Sequence, residues 1–203
     1  MFPNSLAVGV VIPIRGFLIG KARLATHLER AARTELLEHM ADAVVDAALG
    51  SVAPDEVAIV TSAAEVAAWA TSRGLAVLPD PGSLNASADA GRAWFRNRGA
   101  AQVVIIHADL PDATSLCPVL PERIDHDHAE VVLVPCHRED GTPVLSIPVD
   151  AGFRFAYGSG SFQRHFAEAT RLGIPTRVVH DPSLAFDVDV DTDLASLLAR
   201  DAP

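Results

Sequence analysis

The chain has 203 residues, 49% of them hydrophobic and 21% charged, with 26 acidic against 16 basic side chains for a formal net charge of −10. A chain this long can bury roughly 70% of the surface its unfolded form exposes, and its charged fraction and positive mean hydropathy argue against disorder. The acidic balance argues against a nucleic-acid groove, although a nucleotide can still bind where basic residues gather locally, because phosphate neutralisation is short-ranged. Two cysteines, Cys117 and Cys136, are too few for a disulfide framework and read as free thiols in a reducing cytoplasm; no apolar run approaches the ~18 residues of a membrane span.

Residues 6–14 form an apolar run with no basic region before it and no small-residue cleavage site after it, so it reads as a first strand rather than a signal peptide. Further apolar runs at 57–61, 75–78, 102–107 and 131–136 are continuous rather than alternating, the pattern of parallel strands covered on both faces. Between the first two, residues 34–49 place Leu37, Met40, Ala41, Val44, Val45 and Ala48 at helical spacing, with Gly50 as the stop. Helices are also expected at 63–72, at about 86–98 and around 115–124. After Cys136 come a polar loop (137–142), an extended piece (144–149), a Gly/Ser turn (157–161) and a helix over 162–172. Short strands at 178–180 and 184–189 and a helix marked by Leu194, Leu197 and Leu198 close the chain. The order predicts one α/β domain over residues 1–203, an open doubly wound and mostly parallel sheet with helices on both faces, whose ligands bind beyond the carboxyl ends of the strands.

Lys21 is the one lysine among the sixteen basic residues, and it lies in the loop after the first strand with Arg15 and Arg23. Gly16 to Lys21 resembles a P-loop but has three residues between its glycines where four are needed, and Ala22 follows the lysine where a Ser or Thr should. The three cations fit either a triphosphate-binding loop or a solvated basic turn. Asp187, Asp189, Asp191 and Asp193 form the densest carboxylate run, yet Thr192 and Leu198 fall where a calcium loop needs Gly and Glu. If 184–189 is extended, Asp187 and Asp189 share one face while Val188 packs inward; with Asp109, which ends the fourth strand, they can build a magnesium site. Asp191 and Asp193 suit the start of the closing helix. The turn Gly158-Ser159-Gly160-Ser161 before a helix suits a phosphate or carboxylate, or is a plain turn with Ser161 as the helix cap. Asp125-His126-Asp127-His128 reads as a solvated loop, and no Gly-x-Ser-x-Gly supports a serine hydrolase.

Taken together these residues resemble the 2-phospho-L-lactate guanylyltransferase family of coenzyme F-420 biosynthesis. The resemblance is carried by Ile12-Pro13-Ile14-Arg15 with Gly20-Lys21-Ala22-Arg23-Leu24-Ala25, by Gly82-Ser83-Leu84-Asn85, by Ala108-Asp109-Leu110-Pro111, and by Gly141-Thr142. Tyr157-Gly158-Ser159-Gly160-Ser161-Phe162 with His165 and Glu168, and Asp187-Val188-Asp189, complete it. It implies a single-domain, Rossmann-like nucleotidyltransferase fold of the nucleotide-diphospho-sugar transferase type. It also implies transfer of GMP from GTP to the phosphate of a small acid: phosphoenolpyruvate, 2-phospho-L-lactate or 3-phospho-D-glycerate. By the same resemblance Asp109, Asp187 and Asp189 hold Mg2+, Arg15, Lys21 and Arg23 meet the triphosphate, and Asn85 meets the nucleoside. Thr142, Gly158 and Ser161 grip the acid, with Lys21 and Asp109 as the catalytic pair. Expected partners are GTP and the acid, with the downstream deazaflavin transferase and a second copy of the chain as candidate protein partners. The rival readings are a sugar-nucleotide transferase using Asp187 and Asp189 as its metal pair, and a non-catalytic nucleotide-binding module.

Overall fold

The computed structural model describes residues 8–18, 21, 24, 28–121 and 129–200. Seven strands form one sheet in the order β3-β2-β1-β4-β6-β5-β7. They are β1 (Val8–Pro13), β2 (Val57–Thr61), β3 (Ala76–Pro79), β4 (Gln102–Ile106), β5 (Val131–Val134), β6 (Val144–Pro148) and β7 (Thr176–Val178). The pairings β1/β2, β1/β4, β2/β3 and β5/β7 are parallel. Strand β6 runs antiparallel between β4 and β5, so its first residues lie at the same edge as the carboxyl ends of its neighbours. The helices are α1 (Arg30–Leu49), α2 (Ala64–Ser72), α3 (Leu84–Arg96), α4 (Ser161–Leu172), the single turn α5 (Pro182–Ala185) and α6 (Asp191–Arg200).

Alternate residues of the continuous apolar strands feed two cores, as burial on both faces requires. Val10, Ile12, Ile59, Val104 and Ile106 pack with α1 and α2, whereas Val11, Val60, Val103 and Ile105 pack with Phe95 of α3 and Ala169 of α4. Two glycines let α3 lie close on β1. A Cβ at Gly91 would stand 2.4 Å from a Val11 methyl, and one at Gly9 would stand 2.2 Å from the Phe95 ring. Ser83 caps α3, its hydroxyl accepting the Ala86 N–H at 3.2 Å. These contacts fix the helix start that carries Asn85 and Ser87.

Four expectations are corrected. The helix expected around 115–124 is a single 3-10 turn, Cys117–Val119: Pro118 and Pro121 lack the N–H that a continuing helix needs, and residues 122–128, which include the Asp-His-Asp-His loop, lie outside the described residues. The strand expected at 184–189 is α5 followed by chain that belongs to no strand. Asp181 caps α5 by accepting the Ser183 N–H at 2.8 Å, and Pro182 takes the first helical position. The next segment is tied to the sheet through Val188 N–H donating to the Asp109 carbonyl at 3.2 Å. The expected strand at 178–180 is displaced to Thr176–Val178. Helix α1 starts at Arg30, a turn earlier than its apolar spacing shows, because that added turn is largely exposed and carries no periodicity.

Candidate active site

The sheet order sets the carboxyl ends of β3, β2, β1 and β4 side by side, and a cavity of about 400 Å³ opens over them. Arg15 and Lys21 from the loop after β1 line it, with Asp80 just after β3, Ser87 in the first turn of α3, and Asp109 and Asp189 beyond β4. Arg15 is exposed at the rim. Arg23 lies outside the described residues, so the expected trio of cations is represented by two.

Lys21 is the hub. Its backbone has φ 51°, a left-handed conformation that a residue with a Cβ adopts only when its surroundings hold it there. Its ammonium donates to Asp109 Oδ2 at 2.5 Å and also to Asp189 Oδ1. Burial works to lower the Lys21 pKa, but the two carboxylates override it and hold the group above its ordinary value. Burial likewise works to raise Asp109, and there Lys21 and His107 prevail, holding the carboxyl below its usual range. Asp187 goes the other way: burial first, then the charges of Asp109 and Asp189, push it up against the opposing pull of Arg138.

The stretch 187–189 is set by two anchors. Val188 is fully buried against Leu24, Met40 and Leu194, and Asp193 in the first turn of α6 accepts the N–H groups of Asp189 and Val190 at 2.8 and 3.0 Å. Asp193 thus serves the helix start as the sequence suggested. Arg138, from the β5–β6 connection, places Nη1 at 2.8 Å from both Asp193 oxygens. Its Nη2 lies 3.4 Å from Asp187 and 3.7 Å from Asp189. Asp187 and Asp189 therefore both border Arg138, while Asp189 also shares Lys21 with Asp109. Among the described residues no three His, Cys, Asp or Glu side chains converge to hold a metal by themselves. The donors nonetheless suit a hard divalent cation. Asp109 Oδ1 is buried without a partner among the described residues, the Lys21 ammonium marks a cation position between two carboxylates, and magnesium takes few protein ligands beside water and phosphate.

On the far side of β4, Thr142 just before β6 and Ser161 at the start of α4 are buried, their hydroxyls 3.2 Å apart. His165 accepts the Ala156 N–H on Nε2 at 2.9 Å, which leaves the proton on Nδ1, 3.1 Å from the Thr142 hydroxyl. Burial, then Arg164 and His107, lower the His165 pKa to about 4. Gly160, not Ser161, is the cap of α4, and its φ of 71° explains the glycine. Asp140 already takes two of the free groups of that turn, the Gly160 N–H at 2.7 Å on its carboxylate and the Phe162 N–H at 3.2 Å on its carbonyl. Gly158, at φ 112°, accepts the Ser161 N–H at 3.0 Å. Asn85 Oδ1 accepts the Tyr157 N–H at 2.7 Å and so joins the α3 start to this loop.

Lys21, Asp109 and Asp189 are brought into direct contact, and Asp187 stands beside them through Arg138. Thr142 and Ser161 form a separate buried pair with His165. Arg138, Asp80 and His107 were not anticipated as site residues. The rule that ligands meet the carboxyl ends of strands could have flagged Asp80 and His107, which directly follow β3 and β4. Arg138 lies in the polar loop 137–142 that the sequence set apart, but its pairing with Asp193 and Asp187 was not foreseen.

The chain matches the family model described as "Guanylyl transferase CofC like" over residues 8–201. It is 34% identical to a phosphoenolpyruvate guanylyltransferase of Chloroflexus aggregans, over 97% of this chain and 99% of that one. It is 31% identical to a 3-phospho-D-glycerate guanylyltransferase of Phenylobacterium zucineum, over 88% of this chain and 84% of that one. Among solved structures, a protein assigned as a nucleotide-diphospho-sugar transferase from Desulfovibrio desulfuricans superposes with a TM-score of 0.73 at 16% identity, over 94% of this chain and 85% of the other. A nucleotidyl transferase from Methanothermobacter superposes at 0.61 and 16% identity, over 96% and 97%. These two likenesses establish the fold, and it is the one the sequence predicted.

Proposed function

We propose, from the premise that the chain belongs to the CofC-like guanylyl transferase family, that it transfers GMP from GTP to the phosphate of a small phosphorylated acid in the making of the coenzyme F-420 precursor. Phosphoenolpyruvate is the first acceptor to test, with 3-phospho-D-glycerate and 2-phospho-L-lactate after it. The observation that carries the reading is the Lys21 ammonium seated between Asp109 and Asp189 on the wall of the cavity: a mobile cation and clustered carboxylates meet where the fold places a nucleotide.

A phosphate oxygen of the acid attacks the α-phosphorus of GTP, the bond from that phosphorus to the bridging oxygen breaks, and pyrophosphate leaves. The attacking oxygen is already ionised at neutral pH, so no general base is required. The protein's work is positioning and charge neutralisation, together worth several kcal/mol when groups are preorganised. Arg15 and Lys21 face the triphosphate from the β1 loop, and Asn85 holds the nucleoside side while bonding the Tyr157 backbone. Asp109 and Asp189, with Asp187, are the residues that would hold Mg2+, whose chemistry there is to polarise the α-phosphate and neutralise the leaving pyrophosphate. Thr142, Gly158 and Ser161 shape the acid side, with His165 fixing the Thr142 hydroxyl, which in turn meets that of Ser161. No helix among the described residues is long and apolar enough to cross a membrane, and Cys117 and Cys136 are free thiols, which supports work in the cytoplasm.

The test is the fate of label. With GTP labelled at the α-phosphate, the label should appear in an acid-dependent product; with label at the γ-phosphate, it should appear in pyrophosphate. Label leaving as inorganic phosphate, or as GMP with no dependence on acid, would overturn guanylyl transfer.

A further inference from the structure

The cavity has two chemically different ends. At one, beyond β1 and β4, stand Lys21, Asp109 and Asp189; at the other, beyond β3, the polar groups are Asp80 and Ser87. Asp80 and Asp109 follow strands three places apart in the order β3-β2-β1-β4, roughly 14 Å at the spacing of neighbouring strands. That is the scale of a nucleotide lying across the sheet with its phosphates at β4. Pro13, Val60 and Leu84 supply apolar walls between the two ends, as a flat base requires.

The Asp80 carboxylate is held in one orientation. Its Oδ1 accepts the Gly82 N–H at 2.9 Å and the Ser87 hydroxyl at 2.7 Å, and Ser87 is itself buried. The second oxygen makes no hydrogen bond among the described residues. A carboxylate can only accept, so it selects a ring edge that only donates. Guanine presents N1–H and the 2-amino group side by side. Adenine and cytosine present a bare ring nitrogen at the corresponding position, which the carboxylate repels, and uracil flanks its one N–H with two carbonyls. The lone pairs of Ser87 Oγ can take a second guanine proton beside Asp80. Resting on the guanylyl-transfer reading above, we infer that Asp80, steadied by Gly82 and Ser87, is the residue that selects guanine.

The test uses the full chain and four nucleotides with phosphoenolpyruvate: GTP, ITP, which lacks the 2-amino group, XTP, which carries a carbonyl in its place, and ATP. The wild type should favour GTP over ITP by about 10- to 100-fold in kcat/KM, the range for losing one bond to a charged acceptor, and should discriminate more strongly against XTP and ATP. Asp80→Asn keeps an oxygen for Gly82 and Ser87 and turns an amide donor towards the base. It should lower kcat/KM for GTP about 100-fold and raise that for XTP above the wild-type value, with the KM for the acid unchanged. A gain for XTP is a result that a merely structural role cannot produce.

Equal use of GTP and ITP by the wild type overturns the inference without any variant, as does an Asp80→Asn protein that keeps its preference for GTP or weakens for every nucleotide alike. Calorimetric binding of GTP, ITP and XTP without acid separates the two readings. If the wild type binds GTP selectively but transfers nothing, guanylyl transfer fails and base selection stands. If transfer proceeds and binding ignores the base, only the role of Asp80 fails. Should Asp80→Asn not fold, the wild-type series and Ser87→Ala, which should narrow the GTP/ITP ratio, decide the matter.

Discussion

His165 offers a prediction that can be worked through from its contacts. Its Nε2 faces the Ala156 N–H, a group that can only donate, so a proton on that nitrogen would set two donors against each other inside the protein. Burial and neighbouring cations lower its pKa from 6.5 to about 4. Between those values the unfolded chain binds the proton and the native state does not, so stability falls as pH falls through that window. The contribution is fully present above about pH 7 and lost below about pH 4. At 1.36 kcal/mol per unit of difference, the whole loss is about 3 kcal/mol, a large part of a domain's 5–15 kcal/mol. His165→Gln keeps an acceptor and does not titrate. Urea unfolding followed by the fluorescence of the two tryptophans, at half-unit steps from pH 7.5 to 4.5, should show the wild type losing about 1.4 kcal/mol per pH unit through the middle of the range relative to the variant. Parallel pH profiles for the two proteins would refute the tautomer and the network drawn from it.

Other perturbations probe separate parts of the molecule. Lys21→Ala should reduce turnover about 10²- to 10³-fold, as the loss of one preorganised charge contact does, while far-UV circular dichroism stays that of the wild type; full activity would remove Lys21 from the site. Lys21→Arg should also lose at least about 10-fold, because a forked guanidinium cannot take the place of a compact ammonium between Asp109 and Asp189. Arg138→Ala leaves the carboxylate of Asp193, 5% exposed, without its cation, so about 1–3 kcal/mol of stability should go and amide exchange should speed in α6 first; unchanged exchange there would contradict the clamp. Gly91→Ala drives a methyl into Val11 and should cost about 1–3 kcal/mol in the unfolding midpoint. An unaltered midpoint would mean that α3 can move away from β1.

The fold was legible where chemistry is local. Short β-branched apolar runs such as 103–106 read as strands covered on both faces, and Met40, Ala41, Val44 and Ala48 mark the buried stripe of α1. It was illegible where proline and capping override hydropathy: Pro118 reduces an expected helix to one turn, and Asp181 with Pro182 turns an expected strand into α5. That Lys21 and Asp109 meet follows from the neighbouring ends of β1 and β4, whereas Asp189 reaches them from a segment after α5 and not from the strand end the sequence suggested. The Arg138 contacts were not legible, because they depend on β6 pairing antiparallel with β4 and on the 187–193 segment returning to that edge, non-local contacts that no spacing in the sequence encodes. Ser161 illustrates a finer limit. A serine before a helix reads as its cap, but Gly160 can adopt the left-handed conformation and takes that place, freeing the hydroxyl for Thr142.

One rate tests guanylyl transfer most directly: pyrophosphate release from GTP and Mg2+ by the purified chain, with and without phosphoenolpyruvate, with the downstream deazaflavin transferase present to trap a labile product. Guanylyl transfer predicts release that saturates with the acid and disappears in Asp109→Ala. Release no greater than that of the GTP-only control, with phosphoenolpyruvate and with each of the other two acids in turn, would contradict it.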